Sequence, residues 1–371
     1  MFFEREEAST TSGNKGGLMN LAKTLYKFVF GAALLKRLFS DMKRERVFVS
    51  ITVSMIVTFW LLIAAPATLA SDSYPNRPIR LIVPSGAGGI TDLLARIVAE
   101  KLRGELGQPV IVDNRPGASG MIGSEVVAKA APDGYTLLMV YPTHPVNPGL
   151  YKKLRYDTIK DFEPITMVGT VNQVLLVNSS FPAKSVRELM AMAKEQPGKL
   201  NYGSVSPGSM GFLSAELFAS LAGLKFTHVV YKSNPSIMAA LLSGEIQIYF
   251  TPPITAIPQV KAGRLRALGV GSKERLPILP DVPTIAESGI PGYESVGWNG
   301  ILAPAKTPRP VIHRLYDAIT KVLKFADVIE KLTSQSVDPI GNSPEEFAAI
   351  IRADIEKWGK VLRNAGIQQL D

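Results

Sequence analysis

Leu81-Ile82-Val83-Pro84-Ser85-Gly86-Ala87-Gly88-Gly89-Ile90-Thr91-Asp92-Leu93-Leu94-Ala95-Arg96 is the stretch that decides the fold. An apolar run stops at Pro84, and three glycines fall within four positions. After Thr91-Asp92 the apolar residues Leu93, Leu94, Ile97, Val98 and Leu102 recur at helical spacing. The order is strand, glycine-rich turn, helix. Glycines leave backbone amides open to a ligand. A helix start adds unpaired N–H groups and the positive end of the dipole, so the corner suits a carboxylate or a phosphate. The same kind of corner also serves simply to turn the chain. A Walker loop needs a lysine that is absent here. A dinucleotide loop needs glycine at the sixth position, where Thr91 stands. No cofactor motif is complete, so the expected ligand is smaller than a nucleotide.

Working outward, strands are expected over 79–83, 109–112 and 135–140, with helices between them. Strands alternating with helices imply an α/β chain with mainly parallel sheets. Ligands of such sheets sit beyond the carboxyl ends of the strands. The glycine loop lies at one such end and Tyr141-Pro142-Thr143-His144 at another. A second series opens at 173 and repeats the logic of the first. The strand Leu200-Asn201-Tyr202-Gly203 runs into Ser204-Val205-Ser206-Pro207-Gly208-Ser209, and a helix follows over 210–221. Hydroxyls in that loop either cap the helix or bind a ligand. Near the end, Ser343-Pro344-Glu345-Glu346 places a hydroxyl at the N-cap, proline at N1 and acid in the first turn, opening a helix to about 364.

The bulk composition narrows the function. The 371 residues are enough for two domains. There is no cysteine, which excludes disulfides and thiolate metal sites, and only three histidines make a histidine-rich metal site improbable. Residues 1–70 hold nine of the 41 basic and five of the 32 acidic residues, so the rest carries 32 against 27, a net charge of +5. No basic run is interleaved with aromatics, which argues against nucleic-acid binding. Met42-Lys43-Arg44-Glu45-Arg46, an apolar run over 47–65 and the small-residue patterns Ala65-Pro66-Ala67 and Thr68-Leu69-Ala70 have the order of a secretory signal peptide over 42–70. A membrane anchor is the competing reading. Residues 1–41 are expected to be a mis-assigned start or a leader extension. A serine hydrolase would need Ser206 and His228 to meet beside an acid, but Ser204 stands where a nucleophile elbow needs glycine.

From residue 74 onward the chain resembles the periplasmic receptors of tripartite tricarboxylate transporters, the Bug receptors. The resemblance rests on ordered segments: Tyr74-Pro75-x-Arg77-Pro78-Ile79, Gly88-Gly89-x-x-Asp92, Asn114-Arg115-Pro116-Gly117-Ala118 and Asp133-Gly134-Tyr135-Thr136-Leu137. They continue with Thr143-His144, Asn147-Pro148, Tyr202-Gly203-Ser204, Tyr231-Lys232, Leu279-Pro280-Asp281-Val282-Pro283-Thr284 and Pro291-Gly292-Tyr293. It implies a two-domain flytrap, with 71–172 and 295–371 forming one domain and 173–294 the other. It also implies that the two glycine-rich loops hold a ligand carboxylate. With the strand-end residues, the expected ligand-binding set is Ser85, Gly88, Gly89, Ile90, Thr91, Asp92, Thr143, His144, Ser204, Val205, Ser206, Gly208, Ser209, Tyr231 and Thr251. Ser85, Ile90, Ser233-Asn234-Pro235 and Thr251 depart from the family pattern, and loss of an aspartate at 251 removes a partner for an ammonium group. Such receptors take tricarboxylates, dicarboxylates, acidic amino acids or aromatic carboxylates. The expected function is a periplasmic, monomeric, non-enzymatic receptor that hands a small organic carboxylate to membrane transporter subunits. A ligand sensor working through a membrane partner is the alternative, and a secreted serine hydrolase is a third.

Overall fold

The computed structural model describes residues 74–371. The expectations for 1–41 and for the signal peptide over 42–70 lie outside the described residues. Among the described residues, no helix is long and apolar enough to cross a membrane.

The opening stretch folds as its pattern requires. β1 (Ile79–Val83) enters the loop and α1 (Ile90–Leu106) leaves it. β1 pairs in parallel with β2 (Val110–Asn114) and with β3 (Thr136–Val140). Its side chains alternate between two cores. Ile79, Leu81 and Val83 face one, with Leu94, Val98 and Leu102 of α1. Ile82 faces the other, with Phe347 and Ile351 of the last helix, α10 (Pro344–Asn364). Among the described residues this sheet has six strands, in the order β11-β4-β10-β3-β1-β2. Here β4 is Phe162–Asn172, β10 is Val296–Pro304 and β11 is Val337–Pro339.

β4 runs almost directly into β5 (Val174–Asn178), the centre of a second sheet ordered β8-β5-β9. β8 is Tyr249–Thr251 and β9 is Leu265–Val270. Beside it lies the parallel pair β6 (Asn201–Ser204) and β7 (Thr227–Val230), joined through the Tyr202–Ile248 bridge. β5 also alternates: Leu175 and Val177 meet the core of α5 (Met210–Ala222), and Val174 and Leu176 meet that of α6 (Asn234–Ser243). The passage between the two sheets is tied by Gly271 N–H donating to Gln173 O at 2.8 Å, and Ser295 N–H to Gly271 O at 2.9 Å. A Cβ at Gly271 would lie 2.6 Å from Ser295 O, so only glycine fits this crossing.

Strand direction differs from the expectation. Among the described residues, three pairings of named strands are parallel and five antiparallel, so the sheets are mixed. β4 and β10 cause part of the difference. They run antiparallel to each other, as strands that leave and re-enter the first sheet must. The segment 143–150, for which the sequence predicts no element beyond the strand end at 141–144, is α3 (Thr143–Leu150) in spite of Pro145 and Pro148. The core around α5 also draws Val146 and Leu150 from α3, and Trp358, Val361 and Leu362 from α10.

Candidate functional site

Two loops of the same shape end at one cavity. Gly88 has φ +83° and is followed by Gly89 at φ −77°, ψ 168°, the N-cap of α1. Gly208 also has φ +83° and is followed by Ser209 at φ −68°, ψ 153°, the N-cap of α5. Each loop turns through one left-handed glycine, extends for one residue and starts a helix. Neither start is capped by a side chain. Gly89 has none to offer, and the Ser209 hydroxyl turns back to donate to Ser206 O at 2.7 Å. By contrast Ser185, Ser233 and Ser343 do cap their helices. The first N–H groups of any helix lack intrahelical partners, and neither of these two starts spends them on a side-chain cap.

The cavity measures about 230 Å³ and is lined by Ile90 and Thr91 from α1 and by Met210 and Gly211 from α5. Ser204, Val205 and Ser209 also line it, with Tyr141, Pro142, Val171, Gln173, Asn234, Ile237, Tyr249, Phe250, Pro252, Gly297, Trp298 and Asn299. No Asp, Glu, Lys, Arg or His among the described residues lines it. Its walls are apolar and aromatic, with a few neutral hydroxyls and amides. Trp298 supplies a wall, because its indole N–H is spent on Asp354 Oδ2 at 2.6 Å. With no charged side chain in the lining, the helix ends, about half a unit charge each, are its source of positive potential.

Asp92 lies outside this lining. Its buried carboxylate accepts from Gly88 N–H at 2.9 Å, Asn114 Nδ2 at 2.9 Å and Arg96 Nε at 3.1 Å. Asn114 also donates to Ser85 O at 3.1 Å. Burial works to raise the Asp92 carboxyl, but the bonds from Arg96, Gly88 and Asn114 prevail and hold it below the usual carboxylate range. Asp92 is thus the latch of the loop. Thr91 is fixed by its hydroxyl donating to Asn299 Oδ1 at 3.0 Å, which ties α1 to β10.

Of the other residues expected at the site, Ile90, Thr91, Ser204, Val205 and Ser209 meet at the cavity, and the rest do not line it. Gly88 and Gly89 shape the first loop. Ser85 Oγ is buried without a partner. Gly208 backs onto α3, where a Cβ would lie 3.1 Å from Leu150 Cδ2. Ser206 is exposed and supplies a carbonyl to its own loop. Tyr231 donates to Glu245 at 2.7 Å. Thr251 is buried between Phe250 and Pro252, its hydroxyl unpartnered. Thr143 opens α3 behind Pro142. No motif marks the apolar lining residues Val171, Ile237, Tyr249, Phe250 and Trp298. Their only sequence signal is their place at or near the ends of strands and helices.

His144 is turned into the protein. It is 3% exposed, stacks on Tyr156 at 6.1 Å and meets the edge of Phe162 at 5.1 Å. Neither ring nitrogen has a hydrogen-bond partner. Burial pulls the imidazole down to about 4. In the unfolded chain it titrates near 6.5, so between these values the unfolded state binds the extra proton. Stability is therefore expected to be complete above about pH 6.5 and to fall by up to roughly 3 kcal/mol as the pH drops toward 4. Urea unfolding at pH 7 and 4.5 checks this. His144→Phe should lose less stability over that interval than the parent, and an equal loss contradicts the assignment.

Known proteins agree with this architecture. The model of the tripartite tricarboxylate transporter family receptor matches residues 94–367. Protein BugT of Bordetella pertussis is 35% identical over 306 residues, which cover 82% of this chain and 93% of BugT. A protein encoded in the tcbD-tcbE intergenic region of Pseudomonas sp. strain P51 is 37% identical over 292 residues, 78% of this chain and 87% of its own. Among solved structures, an R. palustris protein with adipate aligns with TM-score 0.68 and 36% identity, covering 80% of this chain and 100% of that one. MatC from Rhodopseudomonas palustris with bound malate aligns with TM-score 0.65 and 31% identity, covering 78% and 100%. The matching family is one of transporter receptors, and a further solved neighbour, the periplasmic binding protein BugD, aligns with TM-score 0.66 and 32% identity, covering 80% of this chain and 100% of that one, so the chain is a receptor and not a hydrolase. The hydroxyl that meets His228 is moreover that of Ser204 and not Ser206. By its family match and its flytrap architecture, the chain belongs to the tripartite tricarboxylate transporter receptor family.

Proposed function

We propose that the protein is a periplasmic receptor that captures a small organic carboxylate and delivers it to a membrane transporter. One observation carries the reading: two uncapped helix starts with matching loop geometry open onto one cavity without charged side chains. The carboxylate lies across the first N–H groups of α1 and α5, and the apolar body lies against Trp298, Tyr249 and Phe250. Adipate in one relative and malate in another support the ligand class. The ligand-binding residues are Ile90, Thr91, Ser204, Val205, Ser209, Met210 and Gly211. The lobes 71–172 with 295–371, and 173–294, close on the ligand about the Gln173–Gly271–Ser295 crossing. An α-amino acid is disfavoured, because no carboxylate lines the cavity to pair an ammonium group.

Thermal unfolding with adipate, benzoate, malate, citrate and glutamate tests this. A ligand that binds only the folded state raises the midpoint. Adipate or benzoate is expected to raise it by several degrees, with glutamate giving no shift. A shift with glutamate alone, or with none of the acids, contradicts the reading.

A further inference from the structure

At the mouth of α5, Ser204 Oγ lies 2.7 Å from His228 Nε2. The two residues are 24 positions apart, and the parallel register of β6 and β7 brings them together. Ser204 is 1% exposed and borders the cavity, whereas His228 is half-buried behind it. The imidazole is held in place by stacking on Tyr202 at 4.8 Å and by Phe212 of α5 at 4.9 Å. The titratable groups packed there are Tyr202 and, through the Tyr202 hydroxyl at 2.6 Å, Glu216 of α5. Burial keeps both in their protonated forms to higher pH than usual and biases His228 toward the neutral form.

The Ser204 hydroxyl has one proton and three places to send it. Ser206 O lies 3.2 Å away, but already receives the Ser209 hydroxyl at 2.7 Å and the Ser209 N–H at 3.2 Å. The remaining choices are His228 Nε2 and the cavity. If Nε2 is bare it takes the proton, and Ser204 offers only lone pairs to the cavity, which repel a carboxylate. If Nε2 bears hydrogen it donates to Ser204 instead, and the Ser204 proton is free for the ligand.

We propose that His228 is a positioning residue for the ligand site: through Ser204, the state of Nε2 decides whether this hydroxyl donates to a bound carboxylate. This rests on the carboxylate reading given above. Carboxylate binding then favours the Nε2–H form, and protonation of His228, which makes that form obligatory, tightens binding. Linkage makes the effect reciprocal: bound carboxylate raises the pH at which His228 titrates.

Acetate is the probe, followed by nuclear magnetic resonance on the purified protein. The backbone amides of Ile90, Thr91, Met210 and Gly211 report occupancy, and the imidazole nitrogens of His228 report tautomer and titration. Saturating acetate is expected to move the amides, shift His228 toward Nε2–H and raise its titration midpoint by about one pH unit, equal to about tenfold tighter binding to the protonated form. Ser204→Ala should abolish the tautomer shift. His228→Gln, whose amide can donate permanently to Ser204, should bind acetate between pH 5 and 7 with no pH dependence beyond the ionisation of acetate itself. Amide shifts with an unchanged His228 would overturn this proposal and leave the carboxylate site standing. Unmoved amides would overturn both.

Discussion

Asp92→Ala is expected to cost roughly 1–2 kcal/mol of stability, because it removes a buried acceptor that serves three partly buried hydrogen bonds, and to weaken carboxylate binding at least about tenfold through the loop. Asp92 is 3% exposed and accepts from Gly88, Asn114 and Arg96 at once. Alanine leaves the Gly88 N–H and the Asn114 amide without that acceptor, whereas the half-exposed Arg96 finds water. Without the bond to Gly88, the left-handed turn that aims the first N–H groups of α1 loses its tie. Asp92→Asn keeps the shape and part of the acceptor capacity, so it should cost about half as much. Arg96→Ala should stay within about 1 kcal/mol, as a partly exposed ion pair does. Urea unfolding and calorimetric binding separate the cases. If Asp92→Ala abolishes binding with no loss of stability, Asp92 is a direct ligand contact and the latch assignment is wrong.

Trp358→Ala is expected to cost about 3–5 kcal/mol, the range for removing a large aromatic side chain from a core. Trp358 is 1% exposed and belongs to the core that surrounds α5, with Phe212 and Phe218. The first turns of α10 are held by another core, through Phe347 and Ile351. The helix therefore fastens the α5 side of the cavity to the six-stranded sheet, and Lys357 covers the indole at 4.1 Å. Trp358→Phe, which leaves a smaller void, should cost less than half as much. A cost under about 1 kcal/mol for the alanine variant, read from urea midpoints, would mean that α10 does not fasten this core.

The parts of the fold legible in the sequence are those whose local chemistry is self-sufficient. The first glycine loop announces itself because Gly88 must take positive φ and the helix behind it is amphipathic. The start of α10 is equally plain: Ser343 and Glu346 form the reciprocal capping box. β4 and β10 escape a periodicity reading because both their faces are covered, so their residues do not alternate. β4 also carries Pro164 and Gly169, which read as breaks. α3 escapes because two prolines sit inside eight residues. At the site, the loop residues Ile90, Thr91, Ser204, Val205 and Ser209 come from motifs. His144 occupies a strand-end position that fits a ligand contact, yet its ring turns inward to Tyr156 and Phe162. The Ser204–His228 pair depends on strand register, which neither segment records alone.

If the cavity holds a carboxylate by its charge, on helix ends and not on a basic side chain, removing that charge weakens binding. Titration calorimetry of adipate against adipamide, and of benzoate against benzamide, measures this, since each amide keeps the body and removes the charge. At least one acid is predicted to bind, with its amide at least about tenfold weaker. Equal binding of acid and amide, or no binding of either acid, would rule out a carboxylate held by its charge in this cavity.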